Sequence, residues 1–236
     1  MKVIILAGGL GTRISEETDN KPKPMVLLDE KPIIWHLMNT YASQGFSDFV
    51  IATGYKKEVI EDWVANLDSN WGIQTVDTGL ETQTGGRIKK CMNLFPNQRV
   101  FATYGDGLGN VNLQELINFH ERNHVLATVT AVRPPARFGV LSINGSLVDH
   151  FGEKEHTDSG WINGGFFVLE PEVVDFIGFD SEPLETGALP KLALSGKLGA
   201  FQHEDFWQPM DTLREKNILT EYAQRPTPPW LEISSK

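Results

Sequence analysis

The chain has very little from which to build a covalent or metal scaffold. Cys91 is the lone cysteine among 236 residues, which excludes a disulfide framework and any cysteine-based metal site. His36, His120, His124, His150, His156 and His203 show no metal-type spacing, and no serine, histidine and acid set is suggested by local sequence. Nucleophilic catalysis therefore has no candidate. Long hydrophobic runs are also missing: the apolar stretch from Val3 to Ala7 runs into glycine, too short for a signal peptide or a membrane span. Positive charge is in the minority, with 21 Lys and Arg against 31 Asp and Glu for a net charge of −10, and no basic block exceeds Lys56-Lys57 or Lys89-Lys90. A nucleic-acid partner normally needs a basic face, whereas a small anion needs only a few local cations. A cytoplasmic enzyme or binding protein, with no nucleic acid and no membrane, is the expectation.

No repeat, low-complexity tract or long linker interrupts the pattern of elements. Residues 2–7, 48–53, 73–77 and 99–104 read as strands. Helices are expected at 31–43, through Val59 to Val64, at 86–94 and at 112–123, where Asn112 is a plausible N-cap. This alternation implies a parallel sheet covered by helices on both faces. The second half changes character, with closely spaced strands at 127–132, 139–143, 147–151 and 165–169 and an Asn144-Gly145 turn signal. Helices return at 184–194 and 211–222, and Pro226 to Trp230 reads as extended or loosely packed. One α/β domain over 1–236, with a Rossmann-like mixed, mostly parallel sheet flanked by helices, is the economical reading.

The first candidate site is the loop Gly8-Gly9-Leu10-Gly11-Thr12-Arg13, with Lys21-Pro22-Lys23-Pro24-Met25 downstream. Glycines let backbone N–H groups approach phosphate oxygens, and Arg13 with Lys23 supplies positive charge, with Lys21 the weaker choice. It is not a P-loop, because no Gly-Lys-Ser/Thr follows, and it lacks the third glycine of the dinucleotide fingerprint. Tyr104-Gly105-Asp106-Gly107 ends the fourth strand, where an open α/β sheet places its ligand crevice. Asp106 between glycines leaves room for a hydrated Mg²⁺; a lone Gly-Asp-Gly is otherwise a turn. Asp211, in Phe206-Trp207-Gln208-Pro209-Met210-Asp211-Thr212, is the second carboxylate, and it could also cap the last helix. Thr84-Gly85-Gly86-Arg87 offers a glycine pair and a cation before a helix, suited to an anion or a flat base. Asn163, Glu153-Lys154 and Glu185 are, read singly, as easily structural as functional.

Together these motifs are similar to the signature of the sugar-1-phosphate nucleotidylyltransferases. The likeness runs through Gly8 to Arg13, Lys23-Pro24-Met25, Gly85-Gly86-Arg87, Tyr104 to Gly107, Arg137-Phe138-Gly139, Glu153-Lys154, Asn163 to Phe167 and Phe206 to Thr212, nearly the whole chain. Ser15-Glu16-Glu17-Thr18 and the Trp-Gln-Pro-Met-Asp string resemble the cytidylyl branch. The resemblance implies a single domain of the nucleotide-diphospho-sugar transferase type, with 1–124 mainly nucleotide-binding and 125–225 mainly acceptor-binding. It implies CTP plus α-D-glucose 1-phosphate giving CDP-glucose and pyrophosphate with Mg²⁺, in a homo-oligomer. Carried over, nucleotide contacts fall on Leu6, Ala7, Gly8, Gly9, Gly11, Thr12, Arg13, Lys23, Thr78, Gly85, Arg87, Gly105 and Asp106. Acceptor contacts fall on Tyr104, Glu153, Lys154, Asn163 and Glu185. Asp106 and Asp211 are the metal ligands, and with Arg13 and Lys23 they form the catalytic set.

Two departures lie on the acceptor side, where Glu153-Lys154 continues with Glu155 rather than proline and 182–187 reads Glu-Pro-Leu-Glu-Thr-Gly. The segment 66–78 is also shorter than the family pattern. Another sugar or non-sugar phosphate, a uridylyl or thymidylyl preference, and a nucleotide-binding regulatory module without turnover all stay open from the sequence.

Overall fold

The computed structural model describes residues 1–11, 14–134, 139–144, 147–153 and 160–233, with Ser15, 139–144 and 147–153 described by backbone alone. In chain order the first half comprises β1 (Lys2–Leu6), α1 (Ser15–Thr18), the short strands β2 (Leu27–Leu28) and β3 (Lys31–Pro32), α2 (Ile33–Ala42), β4 (Asp48–Thr53), α3 (Lys57–Ala65), β5 (Gly72–Asp77), α4 (Thr84–Met92) and β6 (Val100–Tyr104). There follow β7 (Gly107–Gly109), α5 (Leu113–Asn123), β8 (Ala127–Val132), β9 (Gly139–Asn144), β10 (Leu147–Glu153), β11 (Ile162–Leu169), α6 (Ala188–Leu194), β12 (Leu198–His203), β13 (Trp207–Pro209) and α7 (Leu213–Ala223).

Seven strands form one sheet in the order β12-β8-β11-β6-β1-β4-β5. β1 runs parallel to β4 and β6, β4 to β5, and β12 to β8, while β11 is antiparallel to both neighbours. The sheet is mixed and mostly parallel, as the strand–helix alternation implied. Side chains alternate across it. Val3, Ile5, Phe49, Ile51 and Phe101 pack on one face beneath α2 and α5. Ile4, Leu6, Val50, Ala52 and Ala102 pack on the other beneath α4 and α6. Both faces are sealed, which is why the central strands read as continuous apolar runs.

Element boundaries shift for local reasons. The helix expected from Lys31 starts at Ile33, because Pro32 sits in an extended conformation as its N-cap and Lys31 pairs with Leu28. The helix expected from Leu184 starts at Ala188, since Pro190 is tolerated in the first turn but not further inside. Asn112 does cap α5, its side chain accepting from the Glu115 N–H at 3.0 Å. The Pro226–Trp230 segment is not loosely packed: Pro229–Leu231 forms a 3-10 turn and Trp230 is fully buried. Among the described residues no helix is long and apolar enough to cross a membrane.

The glycine pair before Arg87 has a packing reason. A Cβ at Gly86 would meet the Asp180 carbonyl oxygen at 2.4 Å, and one at Gly85 the Glu182 carbonyl oxygen at 2.6 Å. Alanine at a helical position gains about 1 kcal/mol over glycine, but overpacking against backbone costs about 1–3 kcal/mol. Gly86→Ala is therefore expected to lower stability by up to about 2 kcal/mol in urea unfolding; a higher midpoint would contradict this packing.

Candidate active site

The carboxyl ends of β1 and β6 open into a cleft of about 1050 Å³, lined by Leu6 to Gly11, Lys23, Leu80 to Thr84, Arg87, Tyr104, Asp106, Asn163, Glu185, Trp207 and Asp211, among others. The two loops meet closely, with the Gly105 N–H donating to the Leu6 carbonyl at 3.0 Å. A Cβ at Gly105 would lie 2.9 Å from that oxygen and 3.0 Å from Pro24 Cγ, so only glycine lets the strand ends approach.

Asp106 and Asp211, distant in sequence, are joined by a small antiparallel ribbon. β7 follows Asp106 and pairs with β13, which precedes Asp211, with Gly107 opposite Pro209. The Met210 N–H donates to the Asp106 carbonyl at 2.9 Å. Lys23, on a 3-10 turn of residues 23–25, reaches between the two side chains. Its Nζ lies 2.7 Å from Asp106 Oδ2 and 2.7 Å from Asp211 Oδ1. Burial works to lower the Lys23 pKa, yet the two carboxylates outweigh it and hold it above the ordinary lysine value. The alternative that Asp211 caps the last helix does not hold. Thr212 is the N-cap, accepting from the Glu215 N–H at 3.2 Å, while the Glu215 carboxylate accepts from the Asp211 N–H at 2.7 Å. This reciprocal cap leaves the Asp211 side chain turned to Lys23.

Arg87 is buried and, among the described residues, has no carboxylate in hydrogen-bond contact. Its guanidinium donates to the carbonyls of Thr53 and Gly8 at 2.9 Å each, to that of Leu80 at 3.3 Å, and to the Thr78 hydroxyl. Burial lowers its pKa from the ordinary arginine value. Gly8 and Gly54 are glycines because the guanidinium lies where their Cβ atoms would sit. Arg87 thus ties the ends of β1, β4 and the loop after β5 into one wall.

On the opposite side, the Tyr104 hydroxyl donates to Glu185 Oε1 and accepts from Asn163 Nδ2 at 3.0 Å, and the Thr84 hydroxyl donates to Glu185 Oε2 at 2.7 Å. Burial, with the charge of Glu185, pushes the Tyr104 phenol above its ordinary pKa, so it stays a donor. The Trp207 indole N–H donates to the Gly164 carbonyl at 2.8 Å.

Of the residues singled out from sequence, Leu6, Ala7, Gly8, Gly9, Gly11, Lys23, Arg87, Tyr104, Asp106, Asn163, Glu185 and Asp211 line this cleft. Thr78, Gly85 and Gly105 do not: Thr78 lies buried behind the wall, and Gly85 packs against residues 182–184 rather than offering a surface to a base. Thr12, Arg13, Lys154 and the Glu153 side chain lie outside the described residues. Sequence reasoning missed Glu81, Thr82 and Gln83, and it reached Thr84 and Trp207 only as flanks of Gly85-Gly86 and Asp211. The threonines ahead of Gly85-Gly86 and the tryptophan ahead of Asp211 were the available signals.

A glycine loop after one parallel strand and a lysine-bridged carboxylate pair thus face one cleft. The nucleotidyl transferase family model matches residues 2–210, and the chain belongs to that family. Within it, the chain is 44% identical to the glucose-1-phosphate cytidylyltransferase of Salmonella typhimurium, across 98% of both chains. It is 39% identical to the probable glucose-1-phosphate cytidylyltransferase of Bacillus subtilis, across 93% of this chain and 94% of that protein. The crystal structure of HddC from Yersinia pseudotuberculosis shares the fold, with a TM-score of 0.75 at 24% identity over 94% of this chain and 99% of that one. These relatives bear out the resemblance that the motifs carried.

Lysine cannot reproduce the forked contacts of Arg87 to four acceptors. Arg87→Lys is expected to cost about 1–3 kcal/mol in urea unfolding; a loss below about 0.5 kcal/mol would mean that the guanidinium does not organise the wall.

Proposed function

We propose that this chain catalyses attack of the phosphate of α-D-glucose 1-phosphate on the α-phosphorus of CTP, giving CDP-glucose and pyrophosphate. The observation that carries the reading is the Asp106–Lys23–Asp211 bridge at the floor of a cleft large enough for both substrates, in a chain so similar to cytidylyltransferases. A new bond forms between an acceptor phosphate oxygen and the α-phosphorus, and the bond to the bridging oxygen of pyrophosphate breaks. A phosphate monoester has a second pKa of about 6, so it arrives largely as a dianion and needs no general base. That accords with a cleft whose described lining contains no histidine.

The obstacle is charge. Among the described residues the lining sets Lys23 and Arg87 against Glu81, Asp106, Glu185 and Asp211, so a triphosphate meets an excess of carboxylates. The two aspartates already converge on one cation, which suits them to hold Mg²⁺. When bound, Mg²⁺ supplies screening between the two anions and stabilises charge on the leaving pyrophosphate. Lys23, beside the glycine loop, would contact the triphosphate together with Arg13 once the aspartates hold the metal. Arg87 fixes the backbone of Gly8 and Leu80 around the nucleotide. Glu185, Asn163 and Tyr104 present acceptors and donors suited to sugar hydroxyls, and Glu153 and Lys154 complete that side. Residues 1–124 supply most of the nucleotide site and 125–225 most of the acceptor side, in a cytoplasmic homo-oligomer.

Asp106→Asn and Lys23→Ala are each expected to lower turnover at least about a hundredfold, as for loss of one charge-stabilising group. Near-normal turnover in either folded variant would refute these roles. In a pyrophosphate-release assay with glucose 1-phosphate, CTP is expected to exceed UTP and dTTP; the reverse order would overturn the cytidylyl assignment. A panel of sugar and non-sugar phosphates tests the acceptor in the same assay.

A further inference from the structure

The β7–β13 ribbon that brings Asp106 and Asp211 together is separate from the seven-stranded sheet and has three residue pairs. A ribbon of this size is marginal alone, so its geometry depends on what holds its two ends. The cleft end is closed by the Met210 N–H on the Asp106 carbonyl. The far end is closed by the Asn110 N–H on the Phe206 carbonyl at 3.1 Å. That far end rests on the segment around Trp230. The Trp230 ring, fully buried, lies 6.1 Å from the Phe206 ring and 5.4 Å, edge to face, from His36 on α2. Asn110 Nδ2 donates to the Glu232 carbonyl at 2.8 Å, tying the same segment to the residue just past β7.

We infer that Trp230 is a positioning residue: it wedges the far end of the ribbon against α2 and so fixes the spacing of the Asp106 and Asp211 carboxylates at the cleft end. The inference rests on the proposal that those two aspartates hold the metal. The ring acts through shape rather than polarity, because its indole N–H is buried with no acceptor among the described residues. A fully buried donor without a partner is a cost, so phenylalanine keeps the contacts that matter. The nucleotide wall is built from other elements, at Leu6 to Gly11, Leu80 to Thr84 and Arg87. Loosening the ribbon therefore weakens metal binding while leaving nucleotide binding without metal intact.

The test measures Mn²⁺ binding to the full chain with CTP, from the free-ion paramagnetic resonance signal, and CTP binding in EDTA by calorimetry. Trp230→Ala is expected to weaken Mn²⁺ binding at least about tenfold, in line with residues that orient metal ligands, and to change CTP affinity in EDTA less than about twofold. Trp230→Phe is expected to restore Mn²⁺ affinity to within about twofold of the original chain. Ile60→Ala, on α3 away from the ribbon, is the stability control. Should Trp230→Ala not fold, Asn110→Ala cuts the tie to Glu232 and is expected to weaken Mn²⁺ at least about threefold. Mn²⁺ affinity unchanged in the folded ribbon variants, or weakened as much by Ile60→Ala, would overturn the inference. If Asp106→Asn leaves Mn²⁺ binding unaltered, the metal reading itself fails, and the positioning role fails with it.

Discussion

One ammonium between two carboxylates organises the functional end of this molecule. Asp106 ends the fourth strand of the sheet's parallel core and Asp211 precedes the last helix, so nothing local brings them together. The β7–β13 ribbon does so, and Lys23 holds the pair with two contacts of 2.7 Å, its own charge held firmly by them. Two carboxylates converging without a cation would repel each other strongly in a half-buried cleft. The bridge therefore explains how the free protein keeps the carboxylate pair assembled. On the proposed reading, Lys23 exchanges these carboxylate partners for phosphate oxygens when the nucleotide binds.

The surrounding structure supports that bridge from three directions. The close approach of Gly105 to Leu6 sets the two strand ends beside each other. The β7–β13 ribbon carries Asp211 back to Asp106, and the Thr212–Glu215 cap turns the Asp211 side chain into the cleft. Arg87 sets the opposite wall through backbone carbonyls and a hydroxyl rather than carboxylates, so it shapes that wall without neutralising the aspartates. On the far side of the cleft, the half-buried Tyr104 hydroxyl and the Thr84 hydroxyl donate to one carboxylate, that of Glu185, while the Asn163 amide donates to the Tyr104 oxygen. Such a cluster favours a polyhydroxylated ligand over an apolar one.

The fold was largely legible because β1, β4 and β6 are buried on both faces and separated by amphipathic helices, and Asp48 to Thr53 even keeps its bounds. The glycines at 8, 9 and 11 and the Gly-Asp-Gly at 105–107 pointed to the right sheet edge, since parallel strands bring their carboxyl ends together. Other features carry no local signal. β7 and β13 are too short for periodicity, and their pairing is a long-range event. The edge strand β12 is only partly buried, so its alternation is weak. Trp230 follows a run of prolines that reads as an open tail, and only its docking on His36 and Phe206 reveals a core residue. Gly85 and Gly86 looked like a platform for a base, whereas their small size serves the packing of residues 180–184. Sequence could name Lys23 as a phosphate cation, but not that two aspartates would hold it in the free protein.

The most direct test is a crystal structure of the full chain with Mg²⁺ and a CTP analogue that cannot release pyrophosphate. The expected result is a metal ion between Asp106 and Asp211, with the Lys23 ammonium moved from both carboxylates onto the triphosphate. A metal ion bound elsewhere, with Lys23 still bridging the two aspartates, would contradict the account.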